Sequence, residues 1–152
     1  MMEELTVHLQ NEIDWHTHTE RRNTMRQITQ DSVQAFCNYR PFCRSNTSVL
    51  VDNFSDHKIS MLYLHGNLIA EMSDSGWLAL NDCGWQTLTT KERLNGVLQK
   101  IFGNDWCIFQ KDYVWYLTTP AGNVHRFDIV NNKPIDILRS KEIGDIVYWG
   151  KG

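Results

Sequence analysis

The fold is decided by the segment Thr89-Thr90-Lys91-Glu92-Arg93-Leu94-Asn95-Gly96-Val97-Leu98-Gln99-Lys100-Ile101-Phe102-Gly103. Its apolar residues recur at i, i+3, i+4, i+7 and i+8, the spacing that places side chains on one face of an α-helix. They are Leu94, Val97, Leu98, Ile101 and Phe102. The segment therefore predicts an amphipathic helix over about residues 90–102 that packs against a sheet.

Capping residues mark both ends of this helix. Thr89, followed three residues later by Glu92, has the form of a capping box, in which the hydroxyl accepts from a backbone amide and the carboxylate reaches back. Gly103 lies where a C-terminal cap belongs. Arg93 and Asn95 lie off the apolar stripe, so we expect them on a surface that is available for binding.

Short apolar runs bounded by turn residues begin at Asn46, a texture typical of β-strands. The turns His65-Gly66-Asn67 and Asp74-Ser75-Gly76 contain residues that adopt a positive φ at low cost. The runs predict an antiparallel meander of about four strands. They lie at 47–51, 59–64, 68–70 and 77–80. Because His65 and Asn67 lie at a turn, they are also candidate binding residues.

Three more strand candidates follow the helix, and the periodicity of residues 24–38 predicts a modest helix before the strands. The candidates lie at 106–110, 113–119 and 124–130. The predicted fold class is α+β, with a curved, mostly antiparallel sheet of about 6–7 strands packed on the helix at about 90–102, and a helical N-terminal arm. We expect a single domain over residues 1–152. It comprises an acidic and then basic arm over 1–44, a core over 45–130 and a tail over 131–152.

The composition excludes several classes of protein. With 15 Lys and Arg against 18 Asp and Glu, the 152-residue chain has a formal net charge of −3, which argues against a whole-protein electrostatic grip on nucleic acid. No apolar run approaches the roughly 20 residues of a membrane span. The start Met1-Met2-Glu3-Glu4 lacks the basic region of a secretory signal. We therefore expect a reducing compartment, in which the cysteines are thiols. They are Cys37, Cys43, Cys83 and Cys107.

The acidic arm contains a candidate metal site. In a strand, His16, His18 and Glu20 point to one face, and two imidazoles with a carboxylate are suitable ligands for zinc or iron. The alternative is a solvated arm without metal, because no spacing elsewhere completes a tetrahedral site. The sequence thus indicates no cofactor, with zinc or another divalent metal as the alternative. A metal-dependent phosphodiesterase or nuclease is the corresponding hypothesis for function.

A second candidate site is the segment 21–44, in which guanidinium groups alternate with aromatic rings. This pairing grips phosphates and stacks bases, so it predicts single-stranded nucleic-acid binding. In the alternative, the arginines neutralise the acidic arm and the rings join the core. The arginines are Arg21, Arg22, Arg26, Arg40 and Arg44, and the rings are Phe36, Tyr39 and Phe42.

The six tryptophans suggest a third site, because tryptophan is enriched at protein-binding hot spots. We expect most of them in the core, particularly Trp77, Trp106 and Trp115. Trp15 and Trp149 lie in the polar ends of the chain and are the better candidates for exposed anchors. Phosphate-binding glycine loops and a nucleophile elbow are missing from the sequence, which favours a non-catalytic protein.

Three spaced blocks resemble a family of small uncharacterised proteins that bacteriophages and other mobile elements carry. The blocks are Asn46-Thr47-Ser48-Val49, Leu62-Tyr63-Leu64-His65-Gly66-Asn67-Leu68-Ile69-Ala70, and Gly84-Trp85-x-Thr87-x-Thr89-Thr90-Lys91-Glu92-Arg93-Leu94-Asn95. An aromatic strand like residues 110–117 follows, and the likeness covers about residues 42–117. The acidic arm and the tail after residue 130 are particular to this chain.

This resemblance implies a phage accessory protein in the host cytoplasm that binds and inhibits a host macromolecule. The favoured target is a bacterial defence complex, which would make the protein similar to an anti-CRISPR. The implied partner is a host protein or ribonucleoprotein, with no membrane. Single-stranded nucleic-acid binding through residues 21–44 is the first alternative, and the metal-dependent enzyme is the second.

Overall fold

The computed structural model describes residues 25–54, 56–127, 135–140 and 143–147. Within them the predicted α+β class is confirmed. The helices are α1 (Gln27–Cys37) and α2 (Leu88–Phe102). The strands are β1 (Phe42–Arg44), β2 (Thr47–Phe54), β3 (His57–Leu64), β4 (Asn67–Ser73), β5 (Trp77–Leu80), β6 (Cys107–Lys111), β7 (Val114–Thr118), β8 (Val124–Arg126), β9 (Ile135–Ser140) and β10 (Ile143–Val147).

The strands form two antiparallel sheets. The large sheet has seven strands in the order β1-β2-β3-β4-β5-β9-β10, and the small sheet has the order β6-β7-β8. The meander from β2 to β5 follows the prediction, including the turn at His65 and Gly66, where both residues have positive φ. Helix α2 carries the chain from the large sheet to the small one. The chain then returns, and β9 pairs with β5.

The prediction of a mostly antiparallel sheet of about 6–7 strands is confirmed by the large sheet, and the described strands form a second, smaller sheet that the sequence does not predict. Beyond the core predicted over 45–130, β9 and β10 extend the large sheet, and Ile135 and Ile137 are buried. The tail joins the core because the free edge of β5 can pair with a strand that is far away in sequence, which local periodicity does not reveal.

The core is one cluster of apolar side chains from the helices, from one face of the large sheet and from the small sheet. Residues opposite each other on neighbouring strands share a face, so the row Leu62–Ala70–Leu80–Ile135 forms the floor of this core. The stripe of α2 packs onto it. Gly96 allows α1 and α2 to approach closely, because a Cβ there would lie 3.0 Å from methyl groups of both Thr29 and Val33.

Helix α2 begins two residues earlier than the capping box predicts. The N-cap is Thr87, whose Oγ1 accepts a hydrogen bond from the backbone amide of Thr90 at 3.1 Å. Thr89 lies within the helix, so its predicted role as the cap is wrong. Glu92 is consequently free of a capping role and turns towards α1. Gly103 ends the helix as predicted, with φ of 94°.

A polar network centred on Arg93 joins both helices to β2. The Arg93 side chain is 1% exposed, and its guanidinium donates to Thr47 Oγ1 at 3.1 and 3.3 Å and to Thr29 Oγ1. Its Nη1 also lies 2.9 Å from Glu92 Oε1. Arg26 contacts the same carboxylate through its backbone amide and its Nε, each at 3.1 Å. One carboxylate and one buried guanidinium therefore fasten three elements together.

The acid stability of the protein should depend on Glu92. Burial opposes ionisation of this carboxyl, but hydrogen bonds from Thr29 and Arg26 hold its pKa below the ordinary value of 4.5. Because the folded-state pKa is the lower one, the network contributes stability above about pH 4.5 that is lost as the pH falls through the folded value. We expect Glu92→Gln to lower the free energy of unfolding at pH 7 and to flatten its decline below pH 4.5.

Urea unfolding of the wild type and the variant between pH 7 and pH 3 measures this effect. Asp105→Asn is the matched control, since Asp105 is an exposed acid outside this network. Parallel acid limbs for the wild type and Glu92→Gln would contradict the prediction.

Candidate protein-binding surface

The loop between β5 and α2, residues 81–87, is held in one conformation by a buried carboxylate. Asp82 is 2% exposed, and its Oδ1 accepts from the backbone amide of Gly84 at 2.9 Å. Its Oδ2 accepts from the side chain of Gln86 at 2.7 Å, and its carbonyl accepts from the amide of Trp85 at 2.8 Å. Cys83 and Gly84, the central residues of this turn, both have positive φ. The turn therefore has little freedom to move.

Neighbouring contacts fasten the loop to the sheet and to the helix. The backbone amide of Asn81 donates to the carbonyl of Ile69 at 2.8 Å, and the side-chain oxygen of Asn81 accepts from the amide of Cys83 at 2.8 Å. The amide of Thr87 donates to the carbonyl of Trp85 at 3.0 Å, immediately before Thr87 caps α2. The loop is thus tied to β4 through Asn81 and braced by hydrogen bonds within itself before Thr87 caps α2.

This rigid loop presents two large apolar side chains to solvent. Trp85 is 62% exposed, and Leu88, the first residue of α2, is 76% exposed. They lie three residues apart in the chain, on either side of the N-cap. Next to them, Arg26 Nη2 donates to Thr89 Oγ1 at 3.2 Å, which places the start of α1 beside the first turn of α2. We call Trp85, Leu88 and the neighbouring Arg26 and Thr89 the Trp85–Leu88 surface.

Apolar anchors with a polar margin are the usual anatomy of a protein-binding site. A tryptophan contributes a large contact area and has only two side-chain torsions to immobilise. Because Asp82 has already fixed the backbone, binding through Trp85 would cost little additional conformational entropy. The sequence did not single out Trp85, which we expected in the core with most of the tryptophans. The sequence signal for its exposure is its position directly after the turn residues Asp82-Cys83-Gly84.

The thiol nearest to this surface is not suited to nucleophilic chemistry. Burial raises the pKa of Cys83, and the negative charge of Asp82 raises it further. Its Sγ lies 3.0 Å from the carbonyl oxygen of Leu68, to which the protonated thiol donates. Cys83 therefore serves to hold the loop, because a reactive cysteine requires a lowered pKa. None of the four cysteines, all of which lie in described residues, forms a disulfide.

The arginine-rich candidate site is only partly described, and two of its described arginines pair with acids of the protein. Arg26 pairs with Glu92, and Arg44 Nη1 lies 2.8 Å from Asp31 Oδ2. The Arg44 guanidinium also lies 5.0 Å from the centre of the Phe42 ring. Of the predicted rings, Phe36 is fully buried. The third described arginine, Arg40, is exposed. Within residues 25–44, two of the candidate guanidinium groups thus already have a carboxylate as partner.

Two predicted surface residues have structural partners instead. The expectation of an exposed Arg93 is wrong, because its guanidinium is buried in the network with Thr29 and Thr47. Asn95 accepts from the Ile108 amide at 2.7 Å and donates to the Ile108 carbonyl at 3.0 Å. Its side chain thus occupies the outer edge of β6 as a neighbouring strand would. These two residues lie off the apolar stripe but are not exposed, because α1 and β2 cover one side of α2 and β6 covers another.

The remaining candidates are at the first hairpin or outside the described residues. His65 is exposed and its Nε2 lies 3.3 Å from Asn46 Nδ2, while Asn67 is half-buried at the start of β4. Within the described residues no group of three histidines, cysteines or acids could hold a metal ion. The candidates outside the described residues are Trp15, His16, His18, Glu20, Arg21, Arg22 and Trp149.

The chain matches a known protein family. The family model of the Kyanoviridae Gp96 protein matches residues 25–135, well over half of the sequence. The chain belongs to the Kyanoviridae Gp96 family. This is a phage protein family without an assigned function. No curated protein and no solved structure matches the chain.

The Gp96 match includes the whole Trp85–Leu88 surface and the segment 42–117 on which the sequence resemblance rests. It begins immediately before α1 and ends at the first residue of β9. The acidic arm with His16 and His18 lies outside it. Neither helix in the described part of this Gp96 protein has the length and apolar character needed to cross a bilayer.

Proposed function

We propose that this Gp96 protein is a non-catalytic phage accessory protein that binds and inhibits a host macromolecule through the Trp85–Leu88 surface. The favoured target is a bacterial defence complex of the CRISPR effector kind, and the site of action is the host cytoplasm. Membership of a phage family supports an accessory role. The observation that carries the binding role is the exposure of Trp85 and Leu88 on a backbone that Asp82 fixes.

The physical case is the cost of leaving these side chains in water. Burying a large apolar side chain stabilises a complex by about 1.5–3 kcal/mol. Trp85 and Leu88 remain largely exposed in the folded chain, so most of their apolar area can be buried only in a complex. The anchors are next to Arg26 and Thr89, which supply hydrogen-bonding groups for a margin. A partner with an apolar groove and polar margins would complement this surface.

Substitution of the two anchors should abolish capture of a partner. We expect Trp85→Ser/Leu88→Ser to weaken binding about 100-fold or more, since single hot-spot residues contribute about 2–4 kcal/mol each. The measurement is a pull-down from host lysate, followed by titration of the captured and purified partner. In a cleavage assay with a purified CRISPR effector, the wild type should inhibit and the double variant should not.

Leu50→Ser is the matched control, because Leu50 is 53% exposed but lies on β2, away from the loop. It should bind the partner as the wild type does. Recovery of no stoichiometric partner, or equal binding by both variants, would overturn the proposal. Capture of nucleic acid that weakens steeply with salt and with Arg21, Arg22 and Arg26 replaced by Ala would instead favour the single-stranded nucleic-acid alternative.

A further inference from the structure

The outer face of the large sheet, opposite the core, carries two acids on one cross-strand row. Glu71 on β4 lies opposite Ala79 on β5, and Ala79 lies opposite Asp136 on β9. Residues in such a row share a face of the sheet. Neighbouring strands are about 4.8 Å apart, so the two acids are separated by about 10 Å of backbone. Only the methyl group of Ala79 stands between them, which leaves room for their carboxylates to converge.

Asp136 has an oxygen atom without a partner. Its side chain is 6% exposed, and Oδ1 accepts no hydrogen bond within the described part of the chain. The indole N–H of Trp77, which lies two residues before Ala79 on β5, donates to the same carboxylate. A buried carboxylate oxygen without a partner is costly, so Oδ1 offers an unused acceptor to an ion.

The charges of the row point to a cation. Burial raises the pKa of Glu71, and the charge of Asp136 raises it further. Burial likewise raises the pKa of Asp136, although the Trp77 hydrogen bond opposes this. The flanking residue on β3 is Met61, which cannot offset negative charge. Two acids thus lie on either side of Ala79, and no basic residue lies on their row.

We propose that Glu71 and Asp136 bind a divalent metal ion of the oxygen-preferring class, such as Mg²⁺ or Mn²⁺. Magnesium is commonly held by one or two carboxylates and retains several waters, which matches a site with two acids. Zinc prefers His and Cys ligands, and neither residue lies on this row. Glu71 is half-buried and lies on the side from which the ion enters. Asp136 is the buried ligand.

Titration with Mn²⁺ tests the site directly. The full chain is purified without a histidine tag, treated with chelator, and titrated while the electron paramagnetic resonance signal of free Mn²⁺ is recorded. We expect about one ion per chain, displaced by Mg²⁺, and at least tenfold weaker binding in Glu71→Gln and Asp136→Asn. Asp52→Asn is the matched control, because Asp52 is an exposed acid on the same face and its loss should leave Mn²⁺ affinity unchanged.

The melting temperature gives an independent readout that also shows that each variant folds. Because Asp136 is a buried acid with an unpartnered oxygen, Asp136→Asn should fold and should melt no lower than the wild type without metal. The wild type should gain stability from Mn²⁺, and the variant should not. No binding by the wild type, or equal Mn²⁺ affinity in the wild type and Asp136→Asn, would overturn the proposal.

Discussion

Replacement of Arg93 by Ala is expected to destabilise the protein by about 3–5 kcal/mol, because it leaves a cavity at a fully buried position and takes one of two cationic partners from Glu92. The substitution removes the guanidinium that joins Glu92 to Thr29 and Thr47. Small domains are stable by only about 5–15 kcal/mol, so a large part of the native stability would be lost. Urea unfolding at pH 7 measures the difference.

Two further variants isolate the cause. Arg44→Ala is the matched control, because Arg44 also pairs with an acid but is exposed, and its loss should cost less than about 1 kcal/mol. Arg93→Met combined with Glu92→Gln should recover part of the loss, since it removes both charges and keeps the volume. If Arg93→Ala cost no more than Arg44→Ala, the guanidinium would have to be accessible to water and the network would carry little energy.

Replacement of Asn95 by Ala should separate the small sheet from α2 at a cost of about 2–4 kcal/mol. Both polar groups of Ile108 lose their partner, and each unpaired backbone group that is shielded from water costs about 1–3 kcal/mol. The substitution also leaves the outer edge of β6 unpaired, which favours association between chains. Urea unfolding reports the stability, and light scattering reports the association.

Amide hydrogen exchange at Ile108 distinguishes this role from a general weakening of the helix. The Ile108 amide should exchange much faster in Asn95→Ala, because the side chain of Asn95 is its acceptor. Asn95→Asp retains an acceptor for the amide but repels the carbonyl, so it should protect this amide better than Ala does. Lys100→Ala, at an exposed position on the same helix, should leave it unchanged. Unchanged exchange in Asn95→Ala would contradict the role.

Local patterns in the sequence were sufficient for the elements of the fold. The stripe from Leu94 to Phe102 predicted α2, and the turn at Gly66 predicted the hairpin of β3 and β4. Both signals depend on neighbours within a few residues. The pairing of β5 with β9 depends on residues more than fifty positions apart, and no periodicity reports it. For that reason the division into two sheets was not predicted.

The candidate surface was harder to predict than the fold, for a related reason. Arg93 is expected at a binding surface and Trp85 in the core, but Arg93 is buried and Trp85 is exposed. A long guanidinium can be buried when hydroxyl groups such as those of Thr29 and Thr47 lie opposite it. Those groups come from other elements, so tertiary contacts alone decide whether the arginine is buried. The turn chemistry around Gly84 was the only local sign that Trp85 faces solvent.

The place of β9 in the large sheet has a consequence for synthesis of the chain. Translation delivers β1 to β5 early, but the strand that covers β5 emerges only after α2 and the whole small sheet. Until then the apolar strand Trp77-Leu78-Ala79-Leu80 lies at an open edge of a growing sheet, where nascent chains are prone to pair with one another. The strands β9 and β10, which emerge after the small sheet, therefore complete the large sheet, and a chain that stops before β9 would expose the apolar edge of β5 to association.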